Sequence, residues 1–202
     1  SRDTPIRPEN SDACRKLAEQ GSFWPFNNVV QLHKIFPWAT VAFYEELAKR
    51  YPREAFDNLE NLVQVFGKEG AGDILEIATE QDPVAGFLSF HSNRLQGLGK
   101  EGAIEILKIA TKQDPRALII TDHLAKSLGS EGASDVLEIV AKKAPKVVLA
   151  YIDNLVSALG KEGAIKTLKI AGENDSFVTF LVIDNLVSAL GKEDASDILE
   201  IA

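Results

Sequence analysis

The stretch from Gly99 to Pro115, GKEGAIEILKIATKQDP, occurs again with variations on both sides of itself. Four related stretches also begin with a glycine, at Gly67, Gly129, Gly160 and, in a shorter form, Gly191. Successive glycines are 32, 30, 31 and 31 residues apart. This period is typical of stacked helical hairpins, because one such unit cannot bury its apolar face without its neighbour. The spacing therefore predicts tandem helical repeats.

Each repeat contains two segments with helical periodicity, which we call helix A and helix B. Helix A follows the glycine, and in the copy at Gly99 its apolar side is formed by Ala103, Ile106, Leu107 and Ala110. Helix B runs on to the next glycine, as in KVVLAYIDNLVSAL, residues 146–159. A proline, at Pro83, Pro115 and Pro145, closes helix A and opens helix B. Each repeat is thus predicted to be a two-helix unit.

The glycine after helix B stands where a left-handed residue commonly ends a helix, so we expect a positive φ angle there. Two further positions vary regularly between repeats. Nine residues after the glycine the charge alternates, through Glu76, Lys108, Glu138, Lys169 and Glu200. Five residues after it the size alternates, through Gly72, Ile104, Ser134, Ile165 and Ser196. If equivalent A helices lie side by side, opposite charges meet and each large residue packs against a small one.

The N-terminal part departs from this repeat. We assign residues 1–28 to a lead-in and cap with a short helix over residues 12–20, residues 29–66 to a degenerate first repeat, and residues 67–202 to the repeats, the last one truncated. Pro52 precedes Pro83 by 31 residues, and Phe36 stands where the first glycine is expected. The aromatic residues Phe23, Trp24 and Phe26 are predicted to cover the end of the stack, or alternatively to form an aromatic ligand pocket.

Together these features predict an all-α protein, a right-handed α-solenoid of about five two-helix repeats of about 31 residues with an N-terminal helical and aromatic cap. We also expect the last helix A, at the end of the stack, to allow self-association. The absence of methionine and the end within a repeat favour a fragment of a longer protein.

Composition narrows the class of protein further. The 202 residues carry a formal net charge of -8, and 45% of them are hydrophobic. No run of about 18 apolar residues exists, so we expect a soluble protein without a membrane span. The single Cys14 excludes an internal disulfide. The start of the chain lacks the apolar core of a secretory signal, which favours a location inside the cell, although a fragment of a larger or secreted protein remains an alternative.

A polar row along the B helices is the best candidate for a binding site. The position six residues before each glycine, with the aspartate that precedes it in three copies, supplies Asn61, Asn93, Asp122, His123, Asp153, Asn154, Asp184 and Asn185. An asparagine side chain donates and accepts, and so can bind a main-chain amide at both of its groups. This row resembles that of the armadillo repeats in the wider class of armadillo/HEAT-like proteins, which implies that an extended peptide is bound along a concave face. Alternatively, these residues tie neighbouring B helices together or are only solvated.

A second resemblance concerns the segment SALGKEGAIKTL around Gly160. It is similar to the repeats of TAL effectors, and the short helical units also resemble those of mitochondrial transcription termination factors, which implies nucleic-acid binding. In TAL effectors, however, variable loop residues read the bases, whereas here the residue before the glycine is apolar in every copy. The acidic balance, with a pI of about 5.0, also opposes phosphate binding.

No enzyme signature accompanies the repeats. The three histidines are scattered, and no metalloprotease, nucleophile-elbow or phosphate-loop motif surrounds them. We therefore expect no catalytic residues, no metal and no cofactor. The sequence predicts a scaffold that binds a protein or peptide segment, with a nucleic-acid-binding protein of TAL-effector-like build as the alternative.

Overall fold

The computed structural model describes residues 11–12, 15–16, 20, 23–115 and 121–202. Secondary structure in these residues is entirely helical, with no strand, which confirms the all-α class. The predicted helix over residues 12–20 and Cys14 fall largely or wholly outside the described residues.

Thirteen α-helices and one 3-10 helix have described bounds. In the first half of the chain they are α1 (Trp24–Asn27), α2 (Val29–Ile35), α3 (Val41–Ala48), α4 (Pro52–Asp57), α5 (Leu59–Gln81), α6 (Pro83–His91), the 3-10 helix η1 (Arg94–Leu98) and α7 (Gly99–Gln113). They continue as α8 (Thr121–Lys143), α9 (Pro145–Ala150), α10 (Ile152–Asn174), α11 (Ser176–Leu181), α12 (Ile183–Leu190) and α13 (Lys192–Ile201).

Proline and glycine delimit these helices at the predicted places. Pro83 and Pro145 occupy the first turn of α6 and α9, where the missing backbone donor has no cost. The prediction of a positive φ is confirmed at all five repeat glycines. At Gly160 the angles are φ 73° and ψ 170°, which is an extended conformation open almost only to glycine and not that of a left-handed helical residue. The chain therefore turns sharply at this residue and enters helix A directly.

The structure corrects the prediction that helix B is a single helix. Predicted helix B is broken into two short helices, α9 and the start of α10 in one repeat, and α11 and α12 in the next. The breaks lie at Tyr151 (φ -117°, ψ 34°) and Val182 (φ -105°, ψ 19°), outside the α-helical region. Asn28 and Asn58 adopt nearly the same angles between α1 and α2 and between α4 and α5. In these stretches two short helical segments thus precede the longer A segment.

The chain divides into two compact units, residues 1–109 and residues 110–202. In the first unit the long helix α5 packs against α2, α3, α4 and η1. Its core includes a cluster of aromatic rings, in which the Tyr44 ring lies 5.4 Å from the Phe26 ring and 5.6 Å from the Phe66 ring. The Tyr44 hydroxyl donates to the Pro25 carbonyl at 3.1 Å, and burial raises the pKa of this phenol.

This packing bears on the predicted aromatic cap. Phe26 is fully buried, whereas Phe23 is 43% exposed and Trp24 is half-buried. Among the described residues of this unit, the Phe26 ring is thus part of the core.

In the second unit, equivalent segments of successive repeats pack against each other. Helix α8 packs against α10, and α10 packs against α13, so that the A segments are neighbours. The short helices follow the same order, with α9 against α11 and α10 against α12. The core between them is aliphatic and includes Val136, Leu137, Leu168 and Ile198, which are fully buried. Within residues 110–202, like elements therefore lie next to like.

Candidate binding surfaces

Asp153, Asn154, Asp184 and Asn185 occupy the first turns of two neighbouring helices. Asp153 and Asn154 begin α10, and Asp184 and Asn185 begin α12, at the same distance from their glycines. Carboxylates at these places are favoured by the N-terminal end of the helix dipole. Because α10 packs against α12, the two polar pairs hold equivalent positions on adjacent helices.

All four of these side chains are exposed, and none of them makes a hydrogen bond or ion pair with the described chain. The expectation that they tie neighbouring helices together is therefore wrong for these four residues. The hydrogen-bond donors and acceptors of these side chains are therefore accessible to water or to another molecule. In the second unit the predicted row is thus present as two successive polar pairs.

The other members of the predicted row have different surroundings. Asn61 is half-buried and lines a cleft of about 260 Å³ that also includes Arg94. Asn93 is exposed and starts η1 with a positive φ of 61°. His123 is half-buried, and the side chain of Asp122 lies outside the described residues. The regular exposed pairs are therefore a property of residues 152–185 and not of every repeat.

Charges on neighbouring A segments pair with a shift of one helical turn from the prediction. The Lys166 ammonium lies 2.6 Å from a Glu138 carboxylate oxygen, and the Lys169 ammonium lies 3.5 Å from Asp197. The expected partner of Glu138 was Lys169, and that of Lys169 was Glu200. In both pairs, the residue nine positions after one repeat glycine thus meets the residue six positions after the next repeat glycine. This contact and its electrostatic field raise the pKa of Lys166.

In the first unit, Glu76 has several acidic neighbours. Burial raises the pKa of Glu76 first, and Asp73, Glu105 and Glu80 raise it further. Glu105 follows its repeat glycine by six residues and forms an ion pair of 3.1 Å with Lys108 of its own helix.

A cleft of about 570 Å³ lies between the A segments of α8 and α10. It is lined by Ser130, Glu131, Ser134, Leu159, Glu162, Gly163, Ile165, Lys166 and Lys169. Ser134 is 5% exposed, and its hydroxyl oxygen has no hydrogen-bond partner. A buried hydroxyl without a partner is costly, typically by about 1 to 3 kcal/mol, unless water or a ligand satisfies it.

Two residues that were predicted to pack as a small and large pair, Ser134 and Ile165, both line this cleft. At Gly72, the equivalent small residue in the first unit, an added Cβ meets no atom within 4 Å. The small residue at Gly72 thus leaves room beside its own helix.

No model of a protein family matches the sequence, and no curated protein matches it significantly. Within the described part of the chain, no group of three or more histidine, cysteine, aspartate or glutamate side chains is arranged to hold a metal ion. No described helix combines the length and the apolar character that crossing a bilayer requires. The surfaces described above therefore carry the functional argument.

A final surface is apolar and lies on α11 and the start of α12. Phe177, Phe180 and Leu181 are 73%, 55% and 67% exposed, and Ile183 is 39% exposed. In the preceding repeat, Leu149 and Ile152 stand at the positions of Phe180 and Ile183 and are buried. The apolar exposure at the last repeat is therefore concentrated on α11 and α12, whereas the sequence led us to expect it on helix A. We call Phe177, Phe180, Leu181 and Ile183 the α11 patch.

Proposed function

We propose that this protein is a non-catalytic helical-repeat scaffold that binds a protein or peptide segment along the exposed Asp/Asn pairs of its short helices. The observation that carries the proposal is the state of Asp153, Asn154, Asp184 and Asn185, which are exposed, regularly placed and without internal partners. Polar side chains that recur at one register and make no hydrogen bond or ion pair with the described chain are available for recognition.

The chemistry of these pairs suits a polypeptide. Each asparagine amide offers a donor and an acceptor, the combination that a peptide group itself displays, and the neighbouring aspartate adds a negative charge. Since the whole chain carries a formal net charge of -8, a basic or neutral segment meets less repulsion than an acidic one.

The proposal includes a right-handed solenoid of about five repeats as the scaffold. It is supported by the contacts of α8 with α10 and of α10 with α13, in which A segments follow each other in chain order. A surface that recurs from repeat to repeat can bind an extended segment, because each unit contributes one small set of contacts. The repetition of every motif also favours binding over catalysis.

The nucleic-acid alternative has less support. In a TAL-effector-like repeat the residues at the turn before helix A face the bases. Here Leu98, Leu128, Leu159 and Leu190 precede the repeat glycines and are buried. With a formal net charge of -8, the chain also has no excess of the lysines and arginines that replace phosphate counterions.

Selection from a library of displayed linear peptides tests the main proposal. Peptides that bind the wild-type protein are expected to lose binding to a variant with Asp153, Asn154, Asp184 and Asn185 all changed to alanine. A variant with Glu173→Gln and Glu200→Gln, two exposed carboxylates of the A segments, is the matched control and should retain binding. Recovery of peptides that ignore the fourfold change contradicts the proposed site. Tight binding of mixed DNA or RNA at low salt favours the alternative class instead.

We further propose that the α11 patch mediates self-association. Four large apolar side chains within seven residues are more than scattered surface hydrophobic residues, and contiguous patches of this kind mark interaction sites. A second copy of the chain carries the same patch, so a two-fold pairing buries both copies at once.

A further inference from the structure

Lysines gather at one edge of the second unit, where two A segments end. Lys112 lies in the last turn of α7, and Lys142 and Lys143 lie in the last turn of α8. Lys146 follows in the first turn of α9, and all four residues are exposed. The Lys143 ammonium donates to the Lys112 carbonyl, so the two helix ends are adjacent. We call these four residues the lysine edge.

Most of the charge on the lysine edge has no carboxylate partner. Lys146 lies 3.9 Å from Asp175, but the other three lysines form no ion pair in the described chain. Elsewhere in the same unit, lysines of α10 are paired with carboxylates of adjacent A segments, at Lys161, Lys166 and Lys169. The lysine edge is therefore a local excess of positive charge on a chain whose formal net charge is -8.

The ends of the helices do not by themselves require these lysines. Cations near the C-terminal end of a helix are favoured by its dipole. However, α5 and α10 have no basic residue in the last turn, and Glu80 and Glu173 stand where α7 and α8 have Lys112 and Lys142. The positive charge is thus particular to two repeats and is not a requirement of the repeat fold.

The turn between α8 and α9 also lacks a carboxylate that the following repeat has. Asp175 precedes α11 and caps it, because its side chain accepts from the Val178 amide at 3.1 Å. The equivalent residue before α9 is Ala144, which makes no side-chain cap. Aspartate is strongly preferred at such positions, so alanine gives up helix stability here. The same replacement removes the negative charge beside the lysines.

From these observations we propose that the lysine edge binds a short acidic segment of a polypeptide partner. The carboxylates of the segment form charge-assisted hydrogen bonds with the ammonium groups and supply the negative charge that Ala144 does not. A long polyanion, such as a nucleic acid, also meets the exposed Glu173 of the next repeat and Asp175 beside Lys146. A short acidic segment avoids this repulsion, which acts over about 8 to 10 Å in physiological salt.

This surface lies outside the proposed function. It shares no residue with the Asp/Asn pairs or with the α11 patch, and its charge is opposite to that of the Asp/Asn pairs. The variant with all four Asp/Asn residues changed to alanine should therefore bind an acidic peptide at least as well as the wild type. Loss of acidic-peptide binding in that variant contradicts a separate site.

A titration followed by amide NMR tests the lysine edge directly. The probe is the blocked peptide acetyl-Gly-Glu-Glu-Glu-Gly-amide, and its control is the same peptide with three glutamines, which keep the shape but remove the charge. We expect saturable shifts at the amides of the lysine edge with the glutamate peptide only. Equal shifts with the glutamine peptide, or no saturable shift, overturn the proposal. So do equal shifts at Lys126 and Lys192, two exposed lysines that also form no ion pair in the described chain.

Substitutions at these lysines separate the lysine edge from general charge attraction. Lys142→Gln with Lys143→Gln should weaken binding about fivefold or more, the scale of two exposed charge pairs. Lys126→Gln with Lys192→Gln removes the same charge elsewhere and is the matched control, which should retain binding. Lys142→Arg with Lys143→Arg keeps the charge and should also bind. Unchanged affinity in the Lys142 and Lys143 glutamine variant refutes the site.

Ala144→Asp tests the edge without weakening the fold. The aspartate restores the cap seen at Asp175, so the melting temperature should rise, and its charge should weaken binding of the glutamate peptide about threefold or more. Unfolding cannot account for a loss of binding in a more stable variant. Full affinity in Ala144→Asp contradicts the proposal.

Two other anions test the assignment to a polypeptide. Vesicles that contain phosphatidylserine and a mixed-sequence DNA oligonucleotide should each bind more weakly than the glutamate peptide. Tighter binding of either one, lost in the Lys142→Gln and Lys143→Gln variant, shows that the lysine edge serves a lipid surface or a nucleic acid and overturns the proposed partner.

Discussion

The Lys166 ammonium binds the Glu138 carboxylate at 2.6 Å, although the repeat pattern places Lys169 and not Lys166 in register with Glu138. The next pair, Lys169 with Asp197, repeats the same offset at 3.5 Å. A third ion pair, between Lys161 and Asp194 at 2.6 Å, joins the residue one position after Gly160 to the residue three positions after Gly191. The ion pairs between neighbouring A segments in residues 110–202 therefore do not join equivalent positions of the repeat.

A double-mutant cycle measures this register. Changing Glu138 and Lys166 to alanine, singly and together, should give a coupling free energy of about 0.2 to 1 kcal/mol, since the lysine is largely exposed. The matched cycle for Glu138 and Lys169 should give a coupling near zero. Urea unfolding supplies the free energies. A larger coupling for Glu138 with Lys169 than for Glu138 with Lys166 contradicts the observed pairing.

Gly160 and Gly72 should respond in opposite ways to substitution by alanine. Gly160→Ala forces φ near 73° on a residue with a Cβ, which should cost about 1 to 3 kcal/mol of unfolding free energy. No neighbouring atom lies within 4 Å of that Cβ, so the cost is conformational and not steric.

Gly72→Ala is the matched control for this prediction. It lies inside helix α5, where an added Cβ also meets nothing, and the change should raise the unfolding free energy by about 0.5 to 1 kcal/mol. Thermal unfolding followed by circular dichroism measures both variants. Equal effects at the two glycines contradict the assigned backbone conformations.

The position of Glu76 predicts a specific pH dependence. Burial and acidic neighbours raise the pKa of Glu76 in the folded protein, so the folded state binds this proton more tightly than the unfolded state. Its contribution to stability is therefore present below the unfolded-state pKa, and it is lost as the pH rises through the folded-state pKa. Glu76→Gln should accordingly raise the melting temperature at about pH 7 but not at about pH 3.5, below the ordinary glutamate pKa.

The control for this experiment is Glu173→Gln, which removes an exposed carboxylate of another A segment. It should change the melting temperature less than Glu76→Gln at neutral pH. A stabilisation by Glu76→Gln that persists unchanged in acid shows that charge is not its cause.

The α11 patch predicts concentration-dependent self-association. Phe180→Lys places a charge at the centre of the patch and should shift the protein towards monomer in sedimentation velocity, because burying an unpaired ammonium is costly. Leu88→Lys, at an exposed leucine of the other unit, should have no such effect. If both variants associate like the wild type, the patch is not the contact.

Much of the local structure follows from the sequence because glycine and proline act through the backbone. Pro83 and Pro145 begin helices, and the five repeat glycines have positive φ, as predicted. The breaks at Tyr151 and Val182 could not be predicted in this way. Neither residue is a helix breaker, and the apolar spacing on both sides remains helical, so the sequence pattern runs through the break.

Packing between repeats was less predictable than the repeats themselves. The period shows that Glu138 has counterparts in its neighbours, but the offset of adjacent helices depends on how their side chains interdigitate. The size alternation at Ser134 and Ile165 was visible in the sequence, whereas the cleft that both residues line was not. Extra aromatic residues in SFVTFL, residues 176–181, were the available signal for the α11 patch.

The most direct test of the proposed binding face is calorimetric titration of one selected peptide into paired variants. The double changes Asp153→Ala with Asn154→Ala, and Asp184→Ala with Asn185→Ala, are each expected to weaken binding by about 1 to 2 kcal/mol, the worth of one or two hydrogen bonds. Losses of this size from both pairs, combining in the fourfold variant, are the predicted result. Full affinity in the fourfold variant, with its helices intact, contradicts the account.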